Sequence, residues 1–336
     1  MLRKVKLVLF VAGFLSVFGI GQALAEFRAA CGVITKIDDK NITFTTELGD
    51  TVTSQVDSKR TAVYRADTKI DGKKLKVGDK IWITFRPSKS NRAALIKTEP
   101  NIEKERDILK DKLARAIRIL NMEGLVAFSG HISARIPGAD TFFIHPSETP
   151  RSDVKPSDMC EVTIEGKQIS GPSAVPSETE IHSAIYRARK DVNSVLHIHP
   201  HYIIIPSLVG KDLIAISGHG AIFGAKLPVF PGQDKISTRD DAEKMVKIMG
   251  TGRAVVMRGH GAAVAEGTVE AVLTAAMYLE ENSKLLVDAM AVGTPIPMTA
   301  AEIKDAADDT YQPSSIIKAW DYYIEKGQKA GIFWDK

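Results

Sequence analysis

The chain has 336 residues, 44% hydrophobic and 26% charged, with a formal charge of +4. That composition belongs to a globular protein and excludes a wholly disordered one. Three basic residues and no acid lie in the first 25 positions, so the remainder holds 42 basic against 41 acidic residues. Near neutrality, with no basic stripe interleaved with aromatics, argues against a nucleic-acid partner.

In chain order, the first element is a secretory signal. Arg3, Lys4 and Lys6 precede an apolar run from Leu7 to Gly21, and Ala23-Leu24-Ala25 supplies small residues for cleavage before Glu26. The run falls short of the roughly 20 residues that span a bilayer, so residues 1–25 are expected to be removed and the mature protein to be periplasmic or secreted. No later segment is apolar and long enough to cross a membrane.

Residues 26–99 read as a small all-β, barrel-like domain. Strands are expected at Gly32–Ile37, Ile42–Thr45, Thr51–Val56, Leu75–Asp79, Ile81–Phe85 and Ala93–Ile96, with turn residues recurring between them. Cys31 falls here and Cys160 in a later strand, so they are expected not to pair.

Near Pro100 the pattern changes. Leu109, Leu113, Ala116, Ile117 and Leu120 recur at helical spacing, and Gly124 ends the run. Further helices are expected at Ser177–Lys190, Arg239–Met249 and Val269–Met290, with strands at Met159–Ile164, Val195–His199 and Ala254–Met257. This alternation predicts an α/β domain over 104–310, followed by a helical tail over 311–336.

All eight histidines lie beyond residue 130. In Ser194-Val-Leu-His-Ile-His-Pro-His-Tyr202, strand alternation sends Leu196 and Ile198 to one face and His197 and His199 to the other. Pro200 ends the strand and leaves His201 outside it. Such a pair suits one metal ion or two hydrogen-bonded interior imidazoles. Upstream, Pro176-Ser-Glu-Thr-Glu-Ile-His182 suggests Ser177 as a helix N-cap with Glu180 as its capping-box partner. Glu178 then falls in the first turn, and the helix leads directly into the histidine strand. Downstream, Val255-Val-Met-Arg-Gly-His-Gly261 carries a strand into Gly-His260-Gly. Three histidines would leave an open position on a zinc-like ion, which marks a catalytic site.

The ordered blocks Ser-Gly-His-Ile-Ser-Ala-Arg135, Pro-Ser-Glu-Thr-Glu-Ile-His182, Val-Leu-His-Ile-His-Pro200 and Met-Arg-Gly-His-Gly261 resemble the class II aldolase/adducin family. The resemblance implies a three-layer α/β/α domain. It implies a divalent cation, Zn2+ or another such as Mn2+, held by His197, His199 and His260, with Glu178 as catalytic acid/base. It also implies a homotetramer with active sites between subunits and a neighbour's tyrosine as proton donor, for which Tyr278 and Tyr311 are candidates. The expected partner is a small-molecule substrate, with metal-dependent carbon–carbon cleavage through an enediolate; decarboxylation, dehydration or a non-catalytic adducin-like binding role are the alternatives.

Substrate contacts are expected at Gly130, His131, Ser147 and Ser177. Sugar-phosphate members of the family have Gly-Asn-Val-Ser where this chain has Gly130-His131-Ile132-Ser133, and a Thr-Gly turn where it has Pro146-Ser147-Glu148. An acid in that turn repels phosphate, so an unphosphorylated hydroxy-carbonyl or carboxylate substrate is expected; His131 and Arg135, with Arg151, could hold a carboxylate, while each arginine taken alone fits a structural role better.

Overall fold

A computed structural model describes residues 28–335, apart from 47–49, 58–59, 66–67, 87–91, 99–101, 137–138 and 233. The predicted signal, 1–25, lies outside the described residues. Among the described residues, no helix is long and apolar enough to cross a membrane.

The N-terminal strands form one seven-stranded sheet. It comprises β1 (Arg28–Ile37), β2 (Asn41–Thr46), β3 (Thr51–Gln55), β4 (Ala62–Arg65), β5 (Thr68–Lys69), β6 (Lys80–Arg86) and β7 (Arg92–Thr98), in the order β3-β2-β1-β6-β7-β4-β5. Alternate residues such as Ile42 and Phe44 on β2, and Ile81 and Ile83 on β6, point inward. They meet Ile34, Val63 and Ile96 in a single core. The strand expected at Leu75–Asp79 does not form. Asp71 accepts the backbone N–H of Lys73 and opens a short 3-10 turn at Gly72–Lys74. A second turn follows at Gly78, whose φ of +93° suits glycine. The Asp79 carboxylate then takes the N–H of Lys76 at 2.9 Å. Local side-chain bonds to the backbone have displaced the ladder. The short strands β4 and β5 carried too few residues for a pattern and went unpredicted.

The remaining elements form the α/β unit. They are α1 (Ile102–Met122), β8 (His131–Arg135), β9 (Thr141–Ile144), β10 (Cys160–Thr163), β11 (Gln168–Ser170), α2 (Thr179–Ala188), β12 (Ser194–Ile198), α3 (His201–Leu208), α4 (Gly218–Ala221), β13 (Val229–Phe230), α5 (Arg239–Met249), β14 (Ala254–Met257), β15 (Gly261–Glu266), α6 (Val269–Val292), α7 (Ala300–Thr310) and α8 (Pro313–Lys329). The sheet order is β11-β10-β9-β8-β12-β15-β14-β13. Leu196 and Ile198 of β12 pack with Leu113 and Ile117 of α1 and Leu273 and Leu279 of α6. Val195 points the other way, to Ile181 and Ile185 of α2 and Met245 of α5. Two cores on opposite faces of one sheet make three layers, α/β/α. Cys31 on β1 and Cys160 on β10 sit in different sheets, and no disulfide joins them.

Candidate metal centre

The site lies where β12, the β14–β15 hairpin and the start of α2 meet. His197 stands on β12, directly opposite His131 of β8 on one side and Ala263 of β15 on the other. His199 falls one residue past the strand end, and His260 occupies the tight turn between β14 and β15, its N–H on Met257 O at 3.0 Å. That turn must come close. A Cβ on Gly261 would sit 2.1 Å from the Ile198 carbonyl oxygen and 2.9 Å from His199 Cδ2. Only glycine lets the two histidine-bearing segments approach this far.

Glu178 completes the group. Helix α2 begins at Thr179, two residues later than expected, and Glu178 holds the N-cap position without capping. Its side chain turns instead to the imidazoles. Oε2 lies 3.5 Å from His197 Nε2 and Oε1 lies 3.5 Å from His260 Nε2. Oε1 also accepts the backbone N–H of Ile236 at 3.1 Å. One ligand atom from each of Glu178, His197, His199 and His260 falls within 4.8 Å of all the others.

Hydrogen bonds fix the ring orientations. His197 Nδ1 donates to Ala262 O at 3.1 Å, which leaves the lone pair on Nε2. His199 Nδ1 is bonded to Ser129 Oγ at 3.0 Å, leaving its Nε2 available. His197 Nε2 and His260 Nδ1 are buried with no hydrogen-bond partner. A buried polar atom left unpaired costs about 1–3 kcal/mol; three imidazoles and a carboxylate around such atoms fit a divalent cation of the zinc type. Burial works against the ionisation of Glu178, but the facing imidazoles of His197 and His260 outweigh it and hold the carboxyl well below its usual range. Burial, with His197 and His260 beside it, pushes His199 down to about 3. His199 is therefore neutral, with a lone pair to give.

The expected substrate residues separate. His131 lies beside the group, its ring 5.0 Å from that of His197. Gly130 precedes it, and its carbonyl accepts Arg151 Nε at 2.8 Å. Ser177 is exposed beside Glu178 and does not cap α2; Thr179 Oγ1 bonds back to Pro176 O at 2.6 Å, and Glu180 pairs with Arg187 instead of closing a capping box. Ser147 is exposed; its N–H donates to Ala174 O at 2.9 Å and its carbonyl accepts Arg151 Nη1 at 2.9 Å. Among the described residues, no hydrogen bond links its hydroxyl to the histidines.

Two expected anchors are spent elsewhere. Arg135 donates from the far end of β8 to the carbonyls of Tyr186 and Arg189. Arg151 gives Nε and Nη1 to the carbonyls of Gly130, Pro146, Ser147 and Thr149, clamping the two loops together. His145 is buried with Nδ1 on Pro146 O at 3.0 Å. His201 is exposed as the first residue of α3, and His219 stacks on Tyr278 at 3.7 Å. Tyr311, buried with its hydroxyl on Ala271 O at 2.6 Å, is unavailable as a proton donor to a neighbour's site. Ser129 and Ile236, which steady His199 and Glu178, went unpredicted in those roles; they lie 70 and 58 residues from their partners, and although Ser129 opens the Ser-Gly-His-Ile-Ser-Ala-Arg135 block, that block does not point to His199.

A three-layer α/β/α domain that gathers three histidines and a glutamate into a candidate metal centre has the aldolase fold. Residues 111–287, more than half of the chain, match the family described as Class II Aldolase and Adducin N-terminal domain, and the chain belongs to it. It is similar to a 3,4-dihydroxyphthalate decarboxylase of Arthrobacter keyseri, 29% identical over 198 residues, covering 55% of this chain and 79% of the relative. It is also similar to a 5-deoxy-D-ribulose 1-phosphate aldolase of Bacillus thuringiensis serovar kurstaki, 26% identical, over 49% of this chain and 76% of that one. An L-fuculose 1-phosphate aldolase structure from Glaciozyma antarctica shares the fold, with a TM-score of 0.61 at 24% identity over 70% of this chain and 95% of that chain.

Proposed function

We propose that the protein is a metal-dependent carbon–carbon lyase acting on a small, unphosphorylated hydroxy-carboxylate, and that decarboxylation is its reaction. The convergence of Glu178, His197, His199 and His260 carries this reading. In the proposed reaction the three imidazoles hold a divalent cation, Zn2+ or Mn2+, which when bound supplies Lewis-acid stabilisation of the negative charge that bond breaking leaves on substrate oxygen. Glu178 moves the proton: the carboxylate leaves as carbon dioxide, the carbon keeps the electron pair, and a proton delivered through Glu178 replaces it. His131, in place of the asparagine of the phosphate-binding members, supports a carboxylate over a phosphate, as does the likeness to the decarboxylase. Aldol cleavage of an unphosphorylated hydroxy-carbonyl compound is the second reading, favoured by the likeness to the deoxyribulose-phosphate aldolase. A non-catalytic binding role has no need of a complete donor set. Export directed by residues 1–25 and assembly as a homotetramer belong to the same proposal.

The test uses the mature chain supplied with Zn2+ or Mn2+. Metal analysis is expected to find one divalent ion per chain, lost in His197→Ala. With 3,4-dihydroxyphthalate, carbon dioxide and 3,4-dihydroxybenzoate are expected as products, and Glu178→Gln should slow their formation by about 10²–10⁴. A protein that takes up no divalent ion ends the metal reading. One that binds the ion, releases no carbon dioxide and splits a hydroxy-ketone favours the aldol reading.

A further inference from the structure

Four buried side chains form an unbroken hydrogen-bonded chain beside the metal cluster. Tyr186 Oη lies 2.7 Å from Ser133 Oγ. Ser133 Oγ lies 2.6 Å from His182 Nδ1, and His182 Nε2 lies 2.6 Å from His131 Nδ1. His131 and Ser133 are two apart on β8; His182 and Tyr186 are four apart on α2. Those spacings put each pair on one face of its element, so the strand and helix present them to each other.

Hydrogen counting gives the chain a direction. A neutral imidazole donates from one nitrogen and accepts at the other, so both histidine links run in the same sense; a serine hydroxyl donates one hydrogen and can accept two. In one sense Tyr186 donates to Ser133, Ser133 to His182 and His182 to His131. The proton of His131 then sits on Nε2. In the other sense His131 donates inward from Nδ1 and His182 donates to Ser133, which leaves without an acceptor either the phenol hydrogen of Tyr186 or, if Ser133 accepts from both, the hydroxyl hydrogen of Ser133. Tyr186 is 1% exposed and packs against Phe142. The nearby backbone of Val195 offers its oxygen a donor, not an acceptor. Stranding that hydrogen disfavours the second sense by about tenfold or more. Both rings are buried, and neither is hydrogen-bonded to a carboxylate that would stabilise a charge, so both are neutral.

We infer that this one-way chain locks His131 as the Nε2–H imidazole and makes that N–H a fixed donor, beside His197, for a carboxylate oxygen of the substrate. The inference rests on the proposed carboxylate chemistry. The chain uses Nδ1, so Nε2 is the polar atom of His131 left over, and its ring stands directly across the sheet from the metal-facing His197. A neutral donor held in one orientation favours an anionic oxygen without adding a positive charge next to the cation site.

The probe is 3,4-dihydroxybenzoate, with catechol as its carboxylate-free control, titrated calorimetrically into zinc-loaded protein. Side-chain 15N–1H spectra read the tautomer separately. The wild type is expected to carry the His131 proton on Nε2 and to bind 3,4-dihydroxybenzoate more tightly than catechol. Tyr186→Phe removes only the hydroxyl and should leave zinc content unchanged. It should populate the Nδ1–H form and shrink the affinity ratio of the two ligands by about fivefold to tenfold. His131→Phe should abolish the preference for the carboxylate. A wild-type His131 proton on Nδ1, or an unchanged ratio in Tyr186→Phe, overturns the inference. Because the spectrum needs no turnover, an Nε2–H signal with a carboxylate preference in a protein that releases no carbon dioxide refutes the proposed reaction and leaves the donor in place.

Discussion

The distance between the two histidine-bearing segments is set by a residue with no side chain. Gly261 starts β15, and its backbone runs against Ile198 and the ring of His199. Gly261→Ala therefore adds a methyl group where backbone oxygen already stands. The hairpin must move away from β12, carrying His260 with it. The variant is expected to lose about 1–3 kcal/mol of stability in urea unfolding of the metal-free form. It is also expected to bind zinc at least about tenfold more weakly in a chelator competition, since a cation held at 2.0–2.1 Å by nitrogen tolerates little displacement. Wild-type zinc affinity in this variant would show that His260 is not held in place by the approach. At this scale strand alternation brought His197 and His199 to one face while leaving open what they do there, and the structure keeps them together although His199 falls one residue past the strand end. For Arg135 and Arg151 the sequence left a structural role beside the anchoring one, and the structural role is the one their bonds to backbone carbonyls fit. A guanidinium near a glycine loop looks like an anion anchor, and residue type alone does not reveal that Arg151 bonds the carbonyls of its own loop and of Gly130, or that Arg135 turns to the carbonyls of Tyr186 and Arg189.

Among the elements, those with strong end signals were read well. Helix α5 and strand β14 have the predicted bounds, the helix because Thr238 accepts the Asp241 N–H at its start. Helix α2 was predicted too long at both ends: Ser177 was read as a cap, and the helix stops at Ala188, two residues short of the expected Lys190. Capping propensity competed there with the demand that Glu178 reach across to the imidazoles, and the site prevailed. How elements hold one another is less legible. Lys112 of α1 and Glu270 in the first turn of α6 meet at 2.5 Å. Burial acts on both groups against charge. Each partner overcomes it, so the Glu270 carboxyl is held below its ordinary 4.5 and the Lys112 ammonium above its ordinary 10.5. A depressed carboxyl adds stability above its unfolded value and loses it as pH falls; a raised ammonium adds stability below its unfolded value and loses it as pH rises through the folded one. The contact should therefore contribute fully between about pH 5 and pH 10. Comparing urea midpoints of wild type and Glu270→Gln across pH should give a plateau in that window and convergence towards acid. A gap that stays constant from about pH 7 down to pH 3 would mean that the pair adds no linked stability.

Across the whole molecule, two units with separate cores share one chain. The N-terminal sheet surrounds its own cluster, centred on Phe44 and Ile83, while the α/β unit fills both faces of the second sheet. The ion pair of Lys97 on β7 with Glu105 on α1, at 2.6 Å, bridges them. Both side chains are largely buried, so the cost of removing the two charges from water offsets most of their attraction, and the pair by itself does little to make two cores unfold as one. The four metal-facing residues all belong to the second unit. A cation that binds only the folded site stabilises the unit that holds it, by about 2.7 kcal/mol at a free concentration one hundred times Kd. Calorimetry of the mature chain is thus expected to resolve two endotherms. Zinc should raise the larger by several degrees and leave the smaller, that of the N-terminal sheet, where it was. His197→Ala should remove the shift without altering the smaller transition. A single endotherm that moves as a whole on adding zinc would show that the two cores are thermodynamically coupled. In that case the sheet stabilises the metal-binding unit, and its removal should lower zinc affinity as well as stability.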